Sequence, residues 1–566
     1  MDHTLAIDFG TSNSTVYVYK NNSFEALTDE TGSSLFPSYV MYYNDRIVTG
    51  ITAKKSMGRD GRFVVGSVKR LIGQPYSYYE QLKNKSIFGC EVVRGEDDYP
   101  YFVVSNNGMR VNCVDVACEL FKEFKRRAEA YCNPRVFDAA YLTVPADYKD
   151  YQCNKIKEAA RLAGLTIKKL ITEPAAAALS WYYSQEDGFK NNSKFLVYDF
   201  GGGTFDVSLM KYSHEDGFVI VDQGGNPYLG GNDVDITLSE FIEQQYRNQY
   251  GTELIKKSKQ ALRKRSALKE KSEEIKLALF TQQCTDFDTS PFTGDELSIP
   301  VTQASFNRLI DPIVDKTLEC VKLLLQRNHL QPGNISYFFM IGGSSQLTLV
   351  AEKTKKLFRD CIFPQVNRQQ CVANGAALML LADYSGNRQT VKEIMSESIG
   401  LGIGEGKVLI MLKKGGKLPL TGKSYLFKTT LDNQKQVDMK IFKYNGDLKR
   451  DEPVNMIDEA VCRYIYDLNF VLPEVRPKGE YYIEIELSME VGGVLTVTCY
   501  DPTSGRSTIY TQEYEAVYGS YFLVCFQSFF SFFFSINCLI SRVPIVFTIS
   551  TVTTFTLHLS LFYSFK

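Results

Sequence analysis

Apolar and polar positions alternate between a strand-like and a helix-like period from residue 1 to about residue 385. A short apolar run at Leu5-Ala6-Ile7 predicts a strand, and apolar residues at helical spacing predict helices over Asp115 to Ala130 and Ile310 to Leu325. Strand signals that alternate with helix signals are typical of an α/β architecture. We therefore expect the first 385 residues to form an α/β unit.

The pattern changes after a polar stretch from Ser385 to Ser398. From about residue 399 to 510, short alternating segments are separated by turns that contain Gly, Asp-Asn or Pro, as in a small antiparallel β-sandwich. The predicted strands are Val408-Leu412, Tyr425-Thr430, Val437-Phe442, Tyr481-Leu487 and Val494-Cys499. The chain is thus predicted to continue from the α/β unit into a β module.

The C-terminal end has a third pattern. Neither Tyr521 to Ser541 nor Val543 to Phe565 contains a charged residue, and each run is long enough to cross a bilayer. However, Phe, Ser and Thr dominate both runs, Pro544 interrupts the second, and basic flanks are almost absent. Two interpretations stay open, a translated non-coding end and a membrane hairpin.

Charge and composition exclude several classes. The chain has 566 residues, enough for two or three cores, and a net charge of -1 that gives no reason to expect nucleic acid or an anionic membrane surface. The locally basic run from Lys256 to Lys276 also carries glutamates, so we interpret it as a solvated helix face. None of the four histidines lies near another candidate catalytic group in the sequence, so we do not expect histidine-based acid–base chemistry.

Cysteine usage indicates a reducing compartment. The 13 cysteines include no C-x-x-C pair and no zinc-like spacing, and the N-terminus enters a strand at once without room for a signal peptide. We therefore expect free thiols and a cytoplasmic protein, with membrane anchoring through residues 521–565 as the alternative.

Two segments about 190 residues apart share one unusual pattern. Val197 to Asp206 reads as an apolar strand that ends in an aspartate, a glycine turn with a hydroxyl, and a second strand, and Leu5 to Ser14 echoes it. Glycine lets consecutive backbone N–H groups converge on phosphate oxygens, and Asp8 and Asp199 are placed to hold hydrated Mg²⁺ beside them. The pair predicts two related lobes that close on one nucleotide.

Further motifs follow in the order seen in the 70-kilodalton heat-shock chaperones. They are Thr143-Val144-Pro145-Ala146, Ile171-Thr172-Glu173-Pro174-Ala175-Ala176-Ala177-Ala178, Gly230-Gly231-Asn232-Asp233-Val234-Asp235, Met340-Ile341-Gly342-Gly343-Ser344-Ser345 and Asn374-Gly375-Ala376-Ala377. From residue 4 to about 510 the chain resembles a divergent member of that family, within the superfamily of actin and the sugar kinases.

The resemblance implies an α/β actin-like two-lobed ATPase, with duplicated ribonuclease-H-like lobes, followed by an antiparallel β-sandwich that binds peptides. It places the nucleotide-binding domain at residues 1–385, a linker at 386–398 and the sandwich at 399–510. The apolar tail, 511–566, stands where the family has a helical lid. The expected cofactors are ATP or ADP and Mg²⁺, with K⁺ as a further candidate.

The resemblance also implies residue roles. Asp8 and Asp199 would bind Mg²⁺ through water, Lys69 would stabilise the transferred phosphoryl group, Glu173 would orient metal-bound water, and Asp206 would lie near the attacking water. Thr204 is grouped with these catalytic residues. The expected nucleotide-binding residues are Gly10, Thr11, Ser12, Asn13, Gly201, Gly202, Gly203, Thr204, Gly230, Glu273, Lys276, Gly342, Gly343 and Ser344.

Each residue has an ordinary interpretation when it is taken alone. Lys69 could be a solvated surface lysine, Glu173 before Pro174 a helix-entry acid, and Gly342-Gly343 a plain turn. As an ordered set they favour nucleotide binding, with hydrolysis a separate question because a fold does not fix an activity.

The β module resembles the family's peptide-binding sandwich at Leu401-Gly402-Ile403, Leu418-Pro419, Asp432-Asn433-Gln434 and Gly493-Val494-Leu495-Thr496-Val497. Val437, Leu401 and Ile403 are the candidate peptide-pocket residues, and for Leu401 and Ile403 the sandwich core is an equal alternative. The implied partners are unfolded polypeptides, a J-domain co-chaperone and a nucleotide-exchange factor. A membrane is implied only if the apolar tail is genuine.

Departures from the family pattern concern coupling. Cys153 stands where an arginine usually relays the nucleotide state, and the linker reads Val391-Lys392-Glu393-Ile394-Met395 instead of a leucine run. Gln346 and Gln369 replace an arginine and an aspartate near the nucleoside. We expect ATP binding to persist while coupling between domains is weakened.

Three hypotheses compete. The leading one is an ATP-dependent chaperone of the stress-response type, in which hydrolysis controls peptide affinity. The second is a nucleotide-binding interaction or exchange-factor-like protein that hydrolyses weakly or not at all. The third, a small-molecule kinase on the same scaffold, has no hydroxyl-substrate signature in the sequence.

Overall fold

The computed structural model describes most of the chain. The described residues are 1–43, 46–82, 88–104, 108–184, 189–214, 217–256, 261–385, 398–404, 406–414, 416, 420–444, 453–455, 462–472, 474–489, 495–502 and 505–512. The linker up to residue 397, Leu418-Pro419, Gly493-Val494 and the tail from residue 513 lie outside them.

Strands dominate both ends of the described chain. They are β1 Thr4–Asp8, β2 Asn13–Lys20, β3 Ser23–Ala26, β4 Phe36–Pro37, β5 Val40–Tyr43, β6 Arg46–Thr49, β7 Val64–Val65, β8 Glu91–Arg94, β9 Pro100–Val103, β10 Arg110–Asn112, β11 Ala139–Val144, β12 Thr166–Thr172, β13 Lys194–Phe200, β14 Phe205–Ser213, β15 Gly217–Asn226, β16 Cys284–Asp288, β17 Ser298–Thr302, β18 Tyr337–Ile341, β19 Ser398–Gly404, β20 Lys407–Leu412, β21 Leu420–Thr421, β22 Tyr425–Lys428, β23 Gln436–Tyr444, β24 Val454–Asn455, β25 Cys462–Val471, β26 Tyr482–Met489, β27 Leu495–Asp501 and β28 Arg506–Gln512.

Among the described residues, the α-helices fall within residues 51–385. They are α1 Ile51–Asp60, α2 Tyr76–Gln81, α3 Cys113–Tyr131, α4 Asp150–Leu162, α5 Glu173–Tyr182, α6 Gly231–Tyr250, α7 Ala261–Ala278, α8 Ser290–Thr293, α9 Gln303–Arg327, α10 Thr348–Leu357 and α11 Cys371–Ser385. The predicted helices over Asp115 to Ala130 and Ile310 to Leu325 are confirmed as α3 and α9. Among the described residues, no helix has the length and apolarity that a bilayer crossing requires.

The predicted duplication appears in the strand pairing. The first lobe has the sheet order β12-β11-β1-β2-β3, in which β1 is parallel to β11 and antiparallel to β2. The second lobe has the order β15-β14-β13-β18, in which β13 is parallel to β18 and antiparallel to β14. Each aspartate-bearing strand therefore has one parallel and one antiparallel neighbour. The turns that follow β1 and β13, which the sequence predicts to bind phosphate and which are called the first and second phosphate turns below, occupy equivalent places in the two sheets.

Two helices pack closely between the lobes. The alanine run of α5 and the small residues of α11 join one apolar cluster with Ala6 of β1 and Val197 of β13. A Cβ on Gly375 of α11 would overlap the carbonyl of Ala176, so this position requires glycine. The close crossing fixes α5, and with it Glu173 at its first position, between the two sheets.

The described residues between 398 and 512 form the expected antiparallel β module. One sheet has the order β24-β20-β19-β23-β25, and the other has β21-β26-β27-β28 with β22 paired to β26. Buried residues of both sheets, such as Ile441 and Val497, share one apolar core. The predicted strands are confirmed as β20, β22, β23, β26 and β27, whereas β19, β21, β24, β25 and β28 were not predicted. The fold is therefore two mixed α/β lobes followed by antiparallel sheets.

Candidate functional site

A cleft of about 300 Å³ lies where strands β1 and β13 end. Most of the residues expected to bind the nucleotide or act on it line this cleft. They are Asp8, Gly10, Thr11, Ser12, Asn13, Lys69, Glu173, Asp199, Gly201, Gly202, Thr204, Asp206, Glu273, Lys276, Gly342, Gly343 and Ser344. Gly203 and Gly230, by contrast, are not among the lining residues.

The two turns that follow β1 and β13 face each other directly. A Cβ on Gly202 would overlap the Ser12 hydroxyl, and a Cβ on Gly203 would overlap the Thr11 side chain. Gly230 supports the second turn from behind, since a Cβ there would lie 2.6 Å from the Gly202 carbonyl oxygen. Backbone approaches this close need glycine.

The carboxylate of the first turn has a hydroxyl donor. The Thr143 hydroxyl on β11 donates to Asp8 Oδ1 over 2.9 Å, because residues 8 and 143 are partners in the parallel register. Burial and the nearby Glu173 raise the pKa of Asp8 to about 6, against the opposing effects of Lys69 and the Thr143 hydrogen bond.

The second turn carries two carboxylates. Asp199 of β13 and Asp206 of β14 are direct partners in the antiparallel register. Burial first, and then the surrounding carboxylates, raise the pKa of Asp199 well above its usual range. Burial and the charge of Asp147 raise the pKa of Asp206 to about 8, although the Thr204 hydroxyl donates to its Oδ2 over 2.7 Å.

Lys69 is a buried lysine at the centre of these carboxylates. It is 7% exposed and lies in a 3₁₀ turn, Val68–Arg70, with its Nζ 2.5 Å from Glu173 Oε1. Burial alone would lower its pKa, but Glu173, Asp8 and Asp199 hold it above the usual value. The interpretation of Lys69 as a solvated surface lysine is therefore wrong.

This charge distribution fits a hydrated divalent cation. The carboxylates of Asp8, Asp199 and Asp206 repel one another, and oxygen donors are what Mg²⁺ prefers. Within the described ranges no cluster of three acidic, histidine or cysteine side chains has direct metal-ligating geometry.

The other end of the cleft is formed by α7. Glu273 pairs with Lys54 over 2.8 Å, and Lys276 pairs with Asp235 of α6 over 2.7 Å. Lys276 is 6% exposed and Ser272 is fully buried. The interpretation of Lys256 to Lys276 as a solvated face is therefore wrong for the side of α7 that meets the cleft.

The turn after β18 needs glycine for a steric reason. Gly342 has φ of +79°, and a Cβ there would lie 2.6 Å from Asp199 Oδ1. The Ser344 hydroxyl donates to the Gly201 carbonyl over 2.9 Å, which ties this turn to the second phosphate turn. Arg368, which the sequence reasoning missed, also lines the cleft and donates to the Ser345 carbonyl over 2.7 Å.

Sequence reasoning also missed Arg70 and Tyr148, both of which line the cleft. The Tyr148 hydroxyl donates to the Lys69 carbonyl over 2.8 Å, and the Arg70 guanidinium reaches the second lobe. The adjacency of Arg70 to Lys69 was the available signal. Cys153 lies half-buried on α4.

The candidate peptide-binding residues are not equivalent. Leu401 is 2% exposed within the sandwich core, which favours a packing role. Ile403 of the same strand is 40% exposed, and Val437 of β23 is half-buried against that core. Ile403 and Val437 are therefore accessible to a ligand, while Leu401 lies beneath the surface.

Comparison with known families agrees with this architecture. Residues 4–517 match the family model described as Hsp70 protein. Members of that family act in general as ATP-dependent chaperones, bind ATP or ADP with Mg²⁺, and work on client polypeptides with co-chaperones. Because the match spans most of the 566 residues and both structural regions, the chain belongs to the Hsp70 family.

Proposed function

We propose that this protein is an ATP-dependent chaperone that hydrolyses ATP slowly and uses hydrolysis to control its affinity for extended apolar segments. One observation carries the proposal. The buried Lys69–Glu173 ion pair lies among Asp8, Asp199 and Asp206, between two glycine turns that face each other. Phosphoryl transfer needs a positioned cation and preorganised donors more than a covalent nucleophile.

The chain's own groups have distinct proposed tasks. Mg²⁺, when bound through water by Asp8 and Asp199, would neutralise charge on the phosphates. Lys69 stays protonated because carboxylates surround it, and Glu173 fixes its position. The Thr204 hydroxyl donates to Asp206, whose carboxylate would accept a proton from the attacking water.

Nucleotide binding is proposed for three groups of residues. Backbone N–H groups of Thr11 to Asn13 and of Gly202 to Thr204 would hold the β- and γ-phosphates. Gly10 and Gly201 would shape the two turns, since their own N–H groups donate to Ser14 Oγ and to the Thr204 carbonyl. Gly342, Gly343 and Ser344 would let the backbone approach the α-phosphate, and Glu273 with Lys276 would hold the ribose and base. Gly230 contributes through support of the second turn.

Single-turnover ATP hydrolysis by the full chain tests the proposal. Lys69→Ala should lower the rate constant on the order of 100-fold or more, since it removes a cation aimed at transition-state charge. Lys211→Ala, an exposed lysine on the outer part of β14, is the matched control and should leave the rate unchanged. Tight ATP binding with no turnover above that of Lys69→Ala would favour the non-hydrolysing interaction protein.

Coupling between the two regions needs its own measurement. Cys153 and the charged linker sequence support a weakened relay of the nucleotide state. We expect a saturating apolar peptide to accelerate ATP turnover less than about twofold, and ATP to change peptide affinity by a similarly small factor, because coupling is reciprocal in binding. Several-fold stimulation by peptide, with faster peptide release on ATP, would contradict weakened coupling.

Peptide binding is proposed for the accessible side of the β module. An extended segment would be held by main-chain hydrogen bonds and by apolar contacts to Val437 and Ile403. Ile403→Ser should weaken binding of a fluorescent apolar peptide while it changes stability by less than about 0.5 kcal/mol, as is usual at exposed positions. Leu401→Ala should cost about 2–5 kcal/mol of stability, because it opens a cavity in the core.

The cellular location is also a proposal. The 11 cysteines within the described ranges form no disulfide, which fits a reducing compartment such as the cytoplasm. Extraction of the full chain from membranes by carbonate, or only by detergent, would separate a cytoplasmic protein from one anchored through residues 521–565.

A further inference from the structure

Arg70 is a buried cation that links the two lobes beside the phosphate turns. It follows Lys69 in the first lobe and is 6% exposed. Its Nη2 donates to the carbonyl oxygen of Gly203 in the second lobe and lies 3.2 Å from Asp233 Oδ2. One guanidinium nitrogen is thus fixed by two acceptors that belong to the opposite lobe.

The anchor on Asp233 is itself rigid. Asp233 lies in the first turn of α6, and its Oδ2 also accepts the N–H of Gly230 over 2.8 Å. Gly230 packs directly against the backbone of Gly202. Arg70 is therefore held relative to the second phosphate turn from two sides, so its remaining N–H groups have a defined direction.

One of those groups has no acceptor. Among the described residues, Nε of Arg70 is buried and makes no hydrogen bond. A charged N–H left without an acceptor in a buried place is costly, which indicates that an acceptor belongs there. Nε lies against the second turn, since a Cβ on Gly203 would be 3.0 Å from it. Arg70 also lines the cleft between the two turns.

We propose that Nε of Arg70 donates to an oxygen of the terminal phosphate of a bound nucleoside triphosphate. This inference rests on the proposed function and adds a second cation to the phosphate site. The guanidinium has a fixed fork that can hold Gly203 and Asp233 with one nitrogen while it presents Nε to an anion. The compact lysine ammonium cannot keep both, so the role is specific to arginine.

The position of Arg70 predicts discrimination between nucleotides. Lys69 reaches Glu173 inside the first lobe, whereas Arg70 reaches the turn at Gly203, where the terminal phosphate would lie. ADP lacks that phosphate and therefore loses the contact with Nε. The ratio of ATP affinity to ADP affinity is the quantity that Arg70 should control.

Isothermal titration of the full chain with ATP and with ADP, in Mg²⁺ and before turnover, tests this. Arg70→Lys should weaken ATP about tenfold and ADP less than about threefold, as expected for loss of one charge-assisted hydrogen bond. Asp233→Asn should shift the same ratio in the same direction by a smaller factor, because it loosens the anchor and keeps Arg70.

Arg327→Lys is the matched control. Arg327 makes a bidentate ion pair with Asp222, with Nε 2.7 Å from Oδ2. Its side chain is 55% exposed, and Arg327 is not among the residues that line the cleft. It should leave both affinities unchanged. Thermal unfolding without nucleotide checks that each variant folds. If Arg70→Lys does not fold, the change in the ratio of ATP affinity to ADP affinity in Asp233→Asn tests the phosphate contact.

The outcomes separate this inference from the proposed function. Equal loss of ATP and ADP affinity, or no loss, in Arg70→Lys would overturn the phosphate contact and leave Arg70 as a structural link between the lobes. A wild-type chain that binds neither nucleotide would overturn the proposed function together with this inference. Selective loss of ATP affinity in both variants would support it.

Discussion

The two phosphate turns share a backbone arrangement but differ in the charge around their aspartates. In the first turn, Asp8 accepts a hydrogen bond from Thr143 and has a pKa of about 6. In the second, Asp199 lies directly opposite Asp206, and burial together with neighbouring carboxylates raises the pKa of Asp199 well above its usual range and that of Asp206 to about 8. The duplicated pattern therefore preserved strand pairing while the electrostatics diverged.

The different number of carboxylates in the two turns indicates which turn a bound cation would stabilise more. Two carboxylates in register repel each other across adjacent strands, and like charges in that position destabilise the fold. Each turn has a hydroxyl donor and lies near Lys69, but the second turn carries two carboxylates where the first carries one. We therefore expect bound Mg²⁺ to interact more strongly with the second turn than with the first.

The largest expected effect follows from neutralising one aspartate at a time. Asp199→Asn should lower the affinity for Mg²⁺ at fixed ATP by about 10–100-fold, as is common when a group that orients metal-bound water is lost. Asp8→Asn should have a smaller effect. Without nucleotide, Asp199→Asn should unfold at a higher temperature than wild type, because one buried repulsion is removed. An equal or larger loss of Mg²⁺ affinity in Asp8→Asn would break the comparison.

Glycine substitutions compare the steric limits of the two turns. A Cβ on Gly10 would overlap the Asn13 carbonyl, which is backbone, whereas a Cβ on Gly202 would overlap the Ser12 hydroxyl and lie 2.8 Å from Ser12 Cβ, both of them side-chain atoms. Gly10→Ala should therefore cost about 1–3 kcal/mol of stability and Gly202→Ala less. Urea unfolding measures both, with Gly333→Ala, where nothing surrounds the new Cβ, as the control. A larger cost for Gly202→Ala would contradict this order.

The raised pKa of Asp206 predicts a pH dependence in the nucleotide-free protein. An aspartate in an unfolded chain has a pKa of about 3.9, whereas Asp206 in the fold has a pKa of about 8. The folded state therefore retains a proton that the unfolded state releases, so stability is present below about pH 4 and is lost as the pH rises towards 8. Melting temperatures across this range should fall with pH.

Two controls accompany that measurement. Asp206→Asn should flatten the decline, since it removes the titrating group. Because Mg²⁺ replaces the proton as the source of positive charge, stabilisation by Mg²⁺ and ADP should increase between about pH 6 and pH 8. A nucleotide-free protein whose melting temperature rises through this range would contradict the assignment to Asp206.

The smallest expected effect concerns the hydroxyl that serves the first turn. Thr143→Val removes the donor to Asp8, which should raise the pKa of Asp8 further above 6 and cost about 1 kcal/mol of stability. Carboxyl NMR titration of Asp8 measures the pKa change. Thr302→Val, at the exposed start of α9, is the control and should leave Asp8 unaffected. An unchanged pKa of Asp8 in Thr143→Val would show that the Thr143 hydroxyl does not lower the pKa of Asp8.

Local sequence patterns were sufficient to predict the positions of several residues of the site. The strand–aspartate–glycine sequence places Asp8 and Asp199 at strand ends whichever way the lobes close, because a strand and its turn are adjacent in the chain. The helix α3 was predictable from its apolar residues at helical spacing; in the structure Asn112 also caps it, and Asp115 Oδ2 accepts the Asn112 N–H. The exposed strand β28 was missed because it lacks a continuous buried face.

The sequence by itself determined the order of the motifs, the two turns with their glycines, and the division into an α/β region and a β module. Only the tertiary structure decided that Lys69 is buried against Glu173, 104 residues away, and that Arg70 reaches Gly203 and Asp233 in the other lobe. The physical reason is that propensity and periodicity act over one turn or one strand. Burial and charge pairing depend on which distant surfaces the fold brings together.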